Sequence, residues 1–303
     1  MRAARLATRT FCGPYPPSIG AAVDEAVAAH YSPARLREKV LIGIERLGKT
    51  TATVLSSDLK TMDEFHMGGL RSSMRFLQSM RLSDGDRVLD VGCGIGGFLR
   101  TIATNFEASS IDGVDLSPSY IALGSEINGW PLIRKAFLGA APVLRVGSAL
   151  ALPYADSSFT KVCMLHVGMN IQDKPRLFRE LARVCKPGGS VGIYDIMRLR
   201  DGDLTWPLPW SSRVDTSFVA RRDVYRDGLA AHGLTLEAES DRSEVVLADL
   251  TKHSAMLKDG KLQPSPLELG ILLGESPAEK GKNIAALVRS AVLAPVELVF
   301  RKE

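Results

Sequence analysis

Apolar positions along the chain change their period. Between Gly20 and Met80 they recur every three to four residues. Leu36, Val40, Leu41, Ile44 and Leu47 form one such stripe, and Leu70, Met74, Leu77 and Met80 another. Each stripe predicts an amphipathic helix. Gly20 to Gly48 reads as two helices, with Ser32 as the N-cap and Pro33 in the first turn of the second. After Asp84-Gly85-Asp86 the pattern becomes short unbroken apolar runs: RVLDV, SIDGVDL, VLRVGSA, TKVCMLHV and SVGIYDI. Between them lie the helical stretches GGFLRTIATNF, SPSYIALGSEI and DKPRLFRELARVC, the last with Leu177, Leu181 and Val184 in register. Runs without alternation predict strands covered on both faces, and alternating strands and helices predict parallel pairing through right-handed crossovers. The expectation is a doubly wound α/β sheet. RLRDGDLTWPLPWSS then reads as a loop, RRDVYRDGLAAHG as a helix ended by Gly233, and LTLEAES as a strand. SEVVLADLTKHSAMLKDG and SPAEKGKNIAALVRSAV read as helices, and PVELVFRK as a last strand with Val296, Leu298 and Phe300 on one face.

Composition narrows the class. The 303 residues are 45% hydrophobic and 24% charged, as in a globular enzyme. A net charge of +4 without a long run of one sign disfavours a dedicated nucleic-acid binder. No apolar run approaches the about 18 residues of a membrane span. Cys12, Cys93, Cys163 and Cys185 form no C-x-x-C pair, which reads as reduced structural thiols in an intracellular protein. The leader MRAARLATRTFCGPYPPS carries Arg2, Arg5 and Arg9 with Thr8 and Thr10, and no acid precedes Asp24. It reads either as an organelle-targeting segment or as a disordered basic arm. The compartment is accordingly cytoplasmic, or mitochondrial or another organelle.

The candidate chemistry starts at VLDVGCGIGGFL. Gly92, Gly94 and Gly97 satisfy G-x-G-x-x-G between a strand and a helix, where backbone N–H groups and the positive helix end are open to a ligand. A dinucleotide would place its pyrophosphate there. Asp90, at the strand end, would repel pyrophosphate but would bind an amino group. Asp115 closes the second strand about 20 residues on, a position suited to two ribose hydroxyls. That role suits both cofactor classes. Gly96 and Gly97 also suit close helix–strand packing. His30, His232 and His253 lack metal-ligand spacing, so no metal is expected. Neither G-x-S-x-G nor H-E-x-x-H occurs.

VLDVGCGIGG, VDLSPSY, ALPYADSSFTKV and LARVCKPGG together resemble the motifs of class I S-adenosylmethionine-dependent methyltransferases. DEFHMGG, HVGMNIQDK, YDI and WPLPW look like a small-molecule subgroup akin to the ubiquinone/menaquinone, tocopherol and sarcosine/dimethylglycine enzymes. The resemblance runs from about Val23 to the C-terminus. It implies a Rossmann-like, seven-stranded, mostly parallel sheet with an antiparallel last strand, an N-terminal helical cap and a helical insertion before that strand. The division expected is a basic leader over 1–19, a cap over 20–82, and a catalytic domain over 83–303 with a lid at about 243–292. The cofactor implied is S-adenosylmethionine. Asp90, Gly92 and Gly94 would form its loop, Asp115 would take the ribose, and Leu116 would lie against the adenine. Ser148 stands where relatives often carry an acid for the adenine amino group, with the Ala149 N–H beside it. Leu165 and His166 end the fourth strand facing the methyl group, and Phe65 and His66 precede a capping helix near the methionine part.

His166 and His66 are the candidate bases, since imidazole titrates near working pH; each reads equally as a hydrogen-bonded structural residue. Met169 and Asn170 either touch the acceptor or shape a turn. Trp206 and Trp210 either line a substrate pocket or pin their loop. Tyr194, with Asp195, ends the fifth strand at a usual substrate position or serves the core. The activity implied is in-line methyl transfer to a small molecule through nitrogen, oxygen or carbon, by a monomer or homodimer. A degenerate cofactor- or lipid-binding assembly partner is the alternative, with the Ser148 departure as its support. A nicotinamide-dependent oxidoreductase rests on the glycine spacing alone.

Overall fold

The computed structural model describes Val27, Tyr31 and residues 35–303 except 262. The basic leader, Cys12, the helix expected from Gly20, His30, and the Ser32–Pro33 start signal lie outside the described residues. Within them the helices before the sheet, where the cap is expected, are α1 (Leu36–Arg46), α2 (Ser56–Asp63) and α3 (Gly69–Ser79). Helix α1 buries Leu36, Val40, Gly43 and Ile44, close to the expected stripe. Helix α3 is rotated from its expected face. Ser73, Phe76, Leu77 and Met80 are buried, whereas Leu70 is exposed at 39%. The cause is the sheet beneath: a Cβ on Gly192 would meet Met80 Sδ at 2.2 Å and Phe76 Cζ at 2.7 Å. Helix α2 was not anticipated, because SSDLKTMD carries little apolar periodicity.

The sheet follows expectation. Its strands are β1 (Arg87–Val91), β2 (Ser110–Asp115), β3 (Val143–Val146), β4 (Phe159–Leu165), β5 (Cys185–Arg198), β6 (Leu234–Asp241) and β7 (Leu293–Lys302). The order is β3-β2-β1-β4-β5-β7-β6. The first five pair in parallel, and β7 runs antiparallel to both β5 and β6. The helices that follow the cap are α4 (Gly97–Ala103), α5 (Pro118–Asn128), α6 (Pro131–Lys135), α7 (Lys174–Val184) and α8 (Arg222–Ala230). Two apolar clusters fill opposite faces of the sheet, which explains why the strands do not alternate. Val296, Leu298 and Phe300 belong to one cluster and Val299 to the other. The insertion between β6 and β7 is α9 (Ser243–Lys258), α10 (Gly270–Leu273) and α11 (Pro277–Arg289). Among the described residues no helix is long and apolar enough to cross a membrane. Cys93, Cys163 and Cys185 are buried and unpaired.

One buried ion pair joins the N-terminal helices to α4 beside the sheet. Arg100 of α4 is fully buried, and its Nε and Nη2 donate to the two carboxylate oxygens of Asp63 at the end of α2. Its Nη1 donates to the Ile95 carbonyl at 2.8 Å and to Asn128 Oδ1 at 3.0 Å. The close approach requires Gly97, where a Cβ would lie 2.1 Å from the Asp63 carbonyl oxygen. Gly97 thus serves packing against the cap rather than against a strand. Thr61 Oγ1 donates to the Leu267 carbonyl, joining cap to insertion.

Breaking a buried pair by removing one partner leaves an uncompensated charge. Arg100→Met is therefore expected to lower unfolding stability by about 3–5 kcal/mol, and the double change Asp63→Leu/Arg100→Met to recover much of that loss. Urea unfolding of both variants measures this.

Candidate functional site

The loop after β1 is built for close approach. Gly92, Gly94 and Gly96 have φ of 81°, 53° and 80°, the left-handed region that glycine enters without strain. A Cβ on Gly92 would also meet Val167 Cγ2 at 2.2 Å. The Gly92 and Cys93 N–H groups donate to the Val114 carbonyl at 2.7 and 3.1 Å, tying the loop to β2. Asp115 completes the clamp: Oδ2 accepts from the Gly94 N–H at 2.9 Å and Oδ1 from the Ser117 N–H at 2.8 Å. A carboxylate has about four acceptor positions, so two remain for hydroxyl groups. Burial raises the Asp115 pKa, and the two backbone donors oppose the rise. Asp90 is different. It is 3% exposed, and its Oδ1 has no hydrogen-bond partner. Burial first, then the charges of Asp115 and Glu64, push its pKa well up. A positively charged donor placed beside it would reverse that cost.

These groups border a cavity of about 620 Å³ at the carboxyl ends of β1, β2 and β4, the usual crevice of an open α/β sheet. Asp90, Gly92, Gly94, Asp115 and Leu116 line one side. Ser148, Ala149 and Leu165 continue it, and the Ser148 hydroxyl already accepts from the Leu150 N–H at 3.2 Å. Phe65 and His66 descend from the cap, while His166, Met169, Asn170 and Trp210 close the far side. The insertion supplies Val246, Leu250 and Ile284.

Two expected residues stand apart. Trp206 is not among the lining residues; it packs half-buried against a cluster that includes Leu208, Trp210 and Ile284. Its loop is pinned by Asn283 Nδ2 donating to the Pro207 carbonyl at 3.0 Å and by Trp210 Nε1 donating to Ser217 Oγ at 2.9 Å. Tyr194 also lies outside the lining, because β5 runs on to Arg198 and leaves Tyr194 mid-strand. It is buried beneath the histidines, with its hydroxyl donating to the Met67 carbonyl at 2.9 Å. Asp195 is buried behind the turn at Gly168–Asn170, accepting from the Tyr225 hydroxyl at 2.7 Å. Burial lifts its pKa to about 6 against the pull of that hydroxyl and of Lys174.

His166 and His66 come within 5.9 Å of each other, ring centre to ring centre. His166 has φ 54°, unusual for a non-glycine residue and the kind of backbone that collects at functional sites. Its Nδ1 accepts from the Met67 N–H at 3.3 Å, which assigns the ring proton to Nε2. Nε2 has no partner. Burial and the neighbouring His66 hold its pKa well below the usual value, so the ring is neutral and its free group is a donor. Asn170 is complementary: Nδ2 donates to the Tyr31 hydroxyl at 3.2 Å, while Oδ1 has no partner. His66 Nε2 lies 3.1 Å from Glu64 Oε2 and 2.9 Å from Ser73 Oγ. Ser73 Oγ and Thr101 Oγ1 donate to the Glu64 carboxylate at 2.6 and 2.8 Å. Burial would raise the Glu64 pKa, but the bond from His66, the charges of His66 and Lys60, and the Ser73 hydroxyl hold it at about 2. Sequence reasoning missed Glu64, Lys60 and Tyr31. Only the adjacency of Glu64 to Phe65-His66 was visible.

Residues 89–193 match the family model described as a methyltransferase domain. Phosphoethanolamine N-methyltransferase 1 of Arabidopsis thaliana is 37% identical over 131 residues, 43% of this chain and 25% of that protein. The 2-methyl-6-phytyl-1,4-hydroquinone methyltransferase of Synechocystis is 34% identical over 114 residues, 38% of this chain and 33% of that one. The chain therefore matches between a quarter and a third of the length of these curated relatives. A structure from Galdieria sulphuraria described as a 'putative sarcosine dimethylglycine methyltransferase' superposes with a TM-score of 0.60 at 23% identity, covering 77% of this chain and 86% of that one. The geranyl diphosphate C-methyltransferase of Streptomyces coelicolor superposes with a TM-score of 0.59 at 16% identity, covering 77% and 79%. These superpositions establish the fold.

The Glu64 cluster carries a pH signature. A carboxylate whose folded pKa is about 2, against 4.5 as the ordinary value, contributes stability that is present above pH 4.5 and lost as pH falls through 2. The shift corresponds to about 3 kcal/mol. Glu64→Gln is expected to lose about that much at pH 7. The gap from the unaltered protein should close progressively below pH 4.5 in denaturation series.

Proposed function

We propose that this chain is a class I S-adenosylmethionine-dependent methyltransferase that transfers a methyl group to a small-molecule acceptor, a reading supported by the methyltransferase-domain match over residues 89–193. The observation that carries the reading is Asp90: a buried carboxylate oxygen without a partner, beside a loop in which Gly94 leaves open the space a side chain would fill. A pyrophosphate there would add negative charge to negative charge. An amino group supplies the missing donor, and Asp115 retains acceptor capacity for a ribose.

The residues present fit that cofactor. Asp90 would hold its amino group, the loop of Gly92 and Gly94 its amino-acid part, Asp115 the ribose, and Leu116 and Ala149 the flanks of the adenine, with Ser148 at its edge. When bound, the cofactor supplies an electrophilic methyl group on a sulfonium sulfur, and the S–C electron pair stays on sulfur after transfer. The protein's part is alignment and exclusion of water, and alignment alone is worth on the order of 7–11 kcal/mol. Cap and insertion close over the cavity from two directions, which suits an enclosed small acceptor and disfavours a polymer. The relatives named for phosphoethanolamine and for a phytyl hydroquinone support an acceptor of that size. The domain reading that accompanies this function is a cap over 20–82, a catalytic domain over 83–303 and a lid at about 243–292.

Thermal unfolding of the intact chain with S-adenosylmethionine, S-adenosylhomocysteine or NADH tests the reading. The two sulfur nucleosides should stabilise by about 2.7 kcal/mol at a hundredfold excess over Kd, and NADH should not. Asp115→Ala should abolish the shift. Stabilisation by NADH alone would sink the proposal.

A further inference from the structure

The acceptor half of the cavity is walled by Met169, Ile196, Trp210, Val246, Leu250 and Ile284. Among the described residues that line the cavity, Lys60 is the single lysine or arginine. It is engaged: its Nζ donates to Thr101 Oγ1 at 2.6 Å and lies 3.5 Å from Glu64. The carboxylates of the lining are engaged as well, Asp63 with Arg100 and Asp249 with Arg71. Asp90 and Asp115 sit at the cofactor loop. A phosphate entering this space would surrender its water to apolar walls and meet the carboxylates of Glu64, Asp90 and Asp115 without a free lysine or arginine. A cationic acceptor would likewise meet no free carboxylate beyond the cofactor loop. Among the described residues, the buried polar side-chain atoms left without partners beside the apolar walls are one donor, His166 Nε2–H, and one acceptor, Asn170 Oδ1, while the exposed His253 borders the same cavity.

Resting on the methyltransferase reading, we propose that the acceptor is an uncharged, mainly apolar molecule bearing a hydroxyl group. Its oxygen accepts from His166 Nε2–H, and its O–H or that of a second hydroxyl donates to Asn170 Oδ1. This pairing satisfies both buried orphans, as native structures usually do. It also gives His166 a definite role. The Met67 N–H fixes the donor tautomer, and burial keeps the ring neutral, so the ring orients the acceptor oxygen by a hydrogen bond. A site built to bond a hydroxyl discriminates strongly against an analogue lacking it, because its own polar groups are then left unpaired.

The test uses the full chain, labelled S-adenosylmethionine and defined probes. Para-nonylphenol and nonylhydroquinone carry aromatic hydroxyls, and farnesol carries an aliphatic one. Nonylbenzene lacks the hydroxyl, and phosphoethanolamine is charged. Binding of S-adenosylhomocysteine is measured first, because its loss would sink the methyltransferase reading itself and the inference with it. With that binding intact, a hydroxylated apolar probe should stabilise the complex and show kcat/KM at least tenfold above phosphoethanolamine, and nonylbenzene should do neither. Whether phenol or farnesol is preferred identifies the kind of hydroxyl. His166→Leu should raise KM for the probe roughly tenfold without altering S-adenosylhomocysteine affinity. His166→Asn, which keeps an N–H donor and tolerates the left-handed backbone, should restore part of the loss. Preference for phosphoethanolamine, or nonylbenzene binding as well as nonylphenol, would overturn the inference while leaving the methyltransferase reading in place.

Discussion

A guanidinium group with no water around it must find all its partners in the protein, and Arg100 does so at the junction of three elements. It holds Asp63 of the cap, the carbonyl of Ile95 in the glycine loop, and Asn128 of the helix after β2. Gly97 lets the cap backbone come within reach. The residues directly after Asp63 are Glu64, Phe65 and His66, so the same contact that docks α2 hangs the roof of the cavity.

The polar groups that the cap brings down fall into two kinds. Glu64, His66, Ser73, Thr101 and Lys60 satisfy one another in a closed network, which keeps a buried carboxylate ionised and the cap rigid. Asp90, His166 and Asn170 are left incomplete around the cavity. That contrast separates residues whose polar groups are satisfied within the protein from residues that keep an unpartnered atom. Two carboxylates within one loop region illustrate it: Asp115 is braced by backbone N–H groups, whereas burial and neighbouring charge leave Asp90 reluctant to ionise. A positively charged amino group brought to Asp90 would reverse that preference.

The apolar half of the cavity has a different origin. Its walls come from the loop at Trp210, the turn after β4 and the insertion before β7, segments far apart in the chain. Trp210 and Trp206 share a loop but divide its work. The first reaches the cavity with its indole N–H tied to Ser217, and the second packs outside with the apolar cluster.

The sheet and the glycine loop were legible because their signals are local. Unbroken apolar runs between helical stretches, glycines between a strand and a helix, and Asp115 at a strand end each depend on a few neighbouring residues. The order of motifs carried the family resemblance for the same reason. Helix α2, the rotated face of α3, the interior place of Tyr194 and the outer place of Trp206 were not legible. Each depends on a surface contributed from elsewhere: the Asp63–Arg100 pair, the bare backbone of Gly192, three residues of β5 beyond Asp195, and the packing of α11. Periodicity could place His166 at the end of a strand. Only the fold, by bringing the Met67 N–H to Nδ1 and leaving Nε2 alone, decided that this ring presents a proton rather than a lone pair.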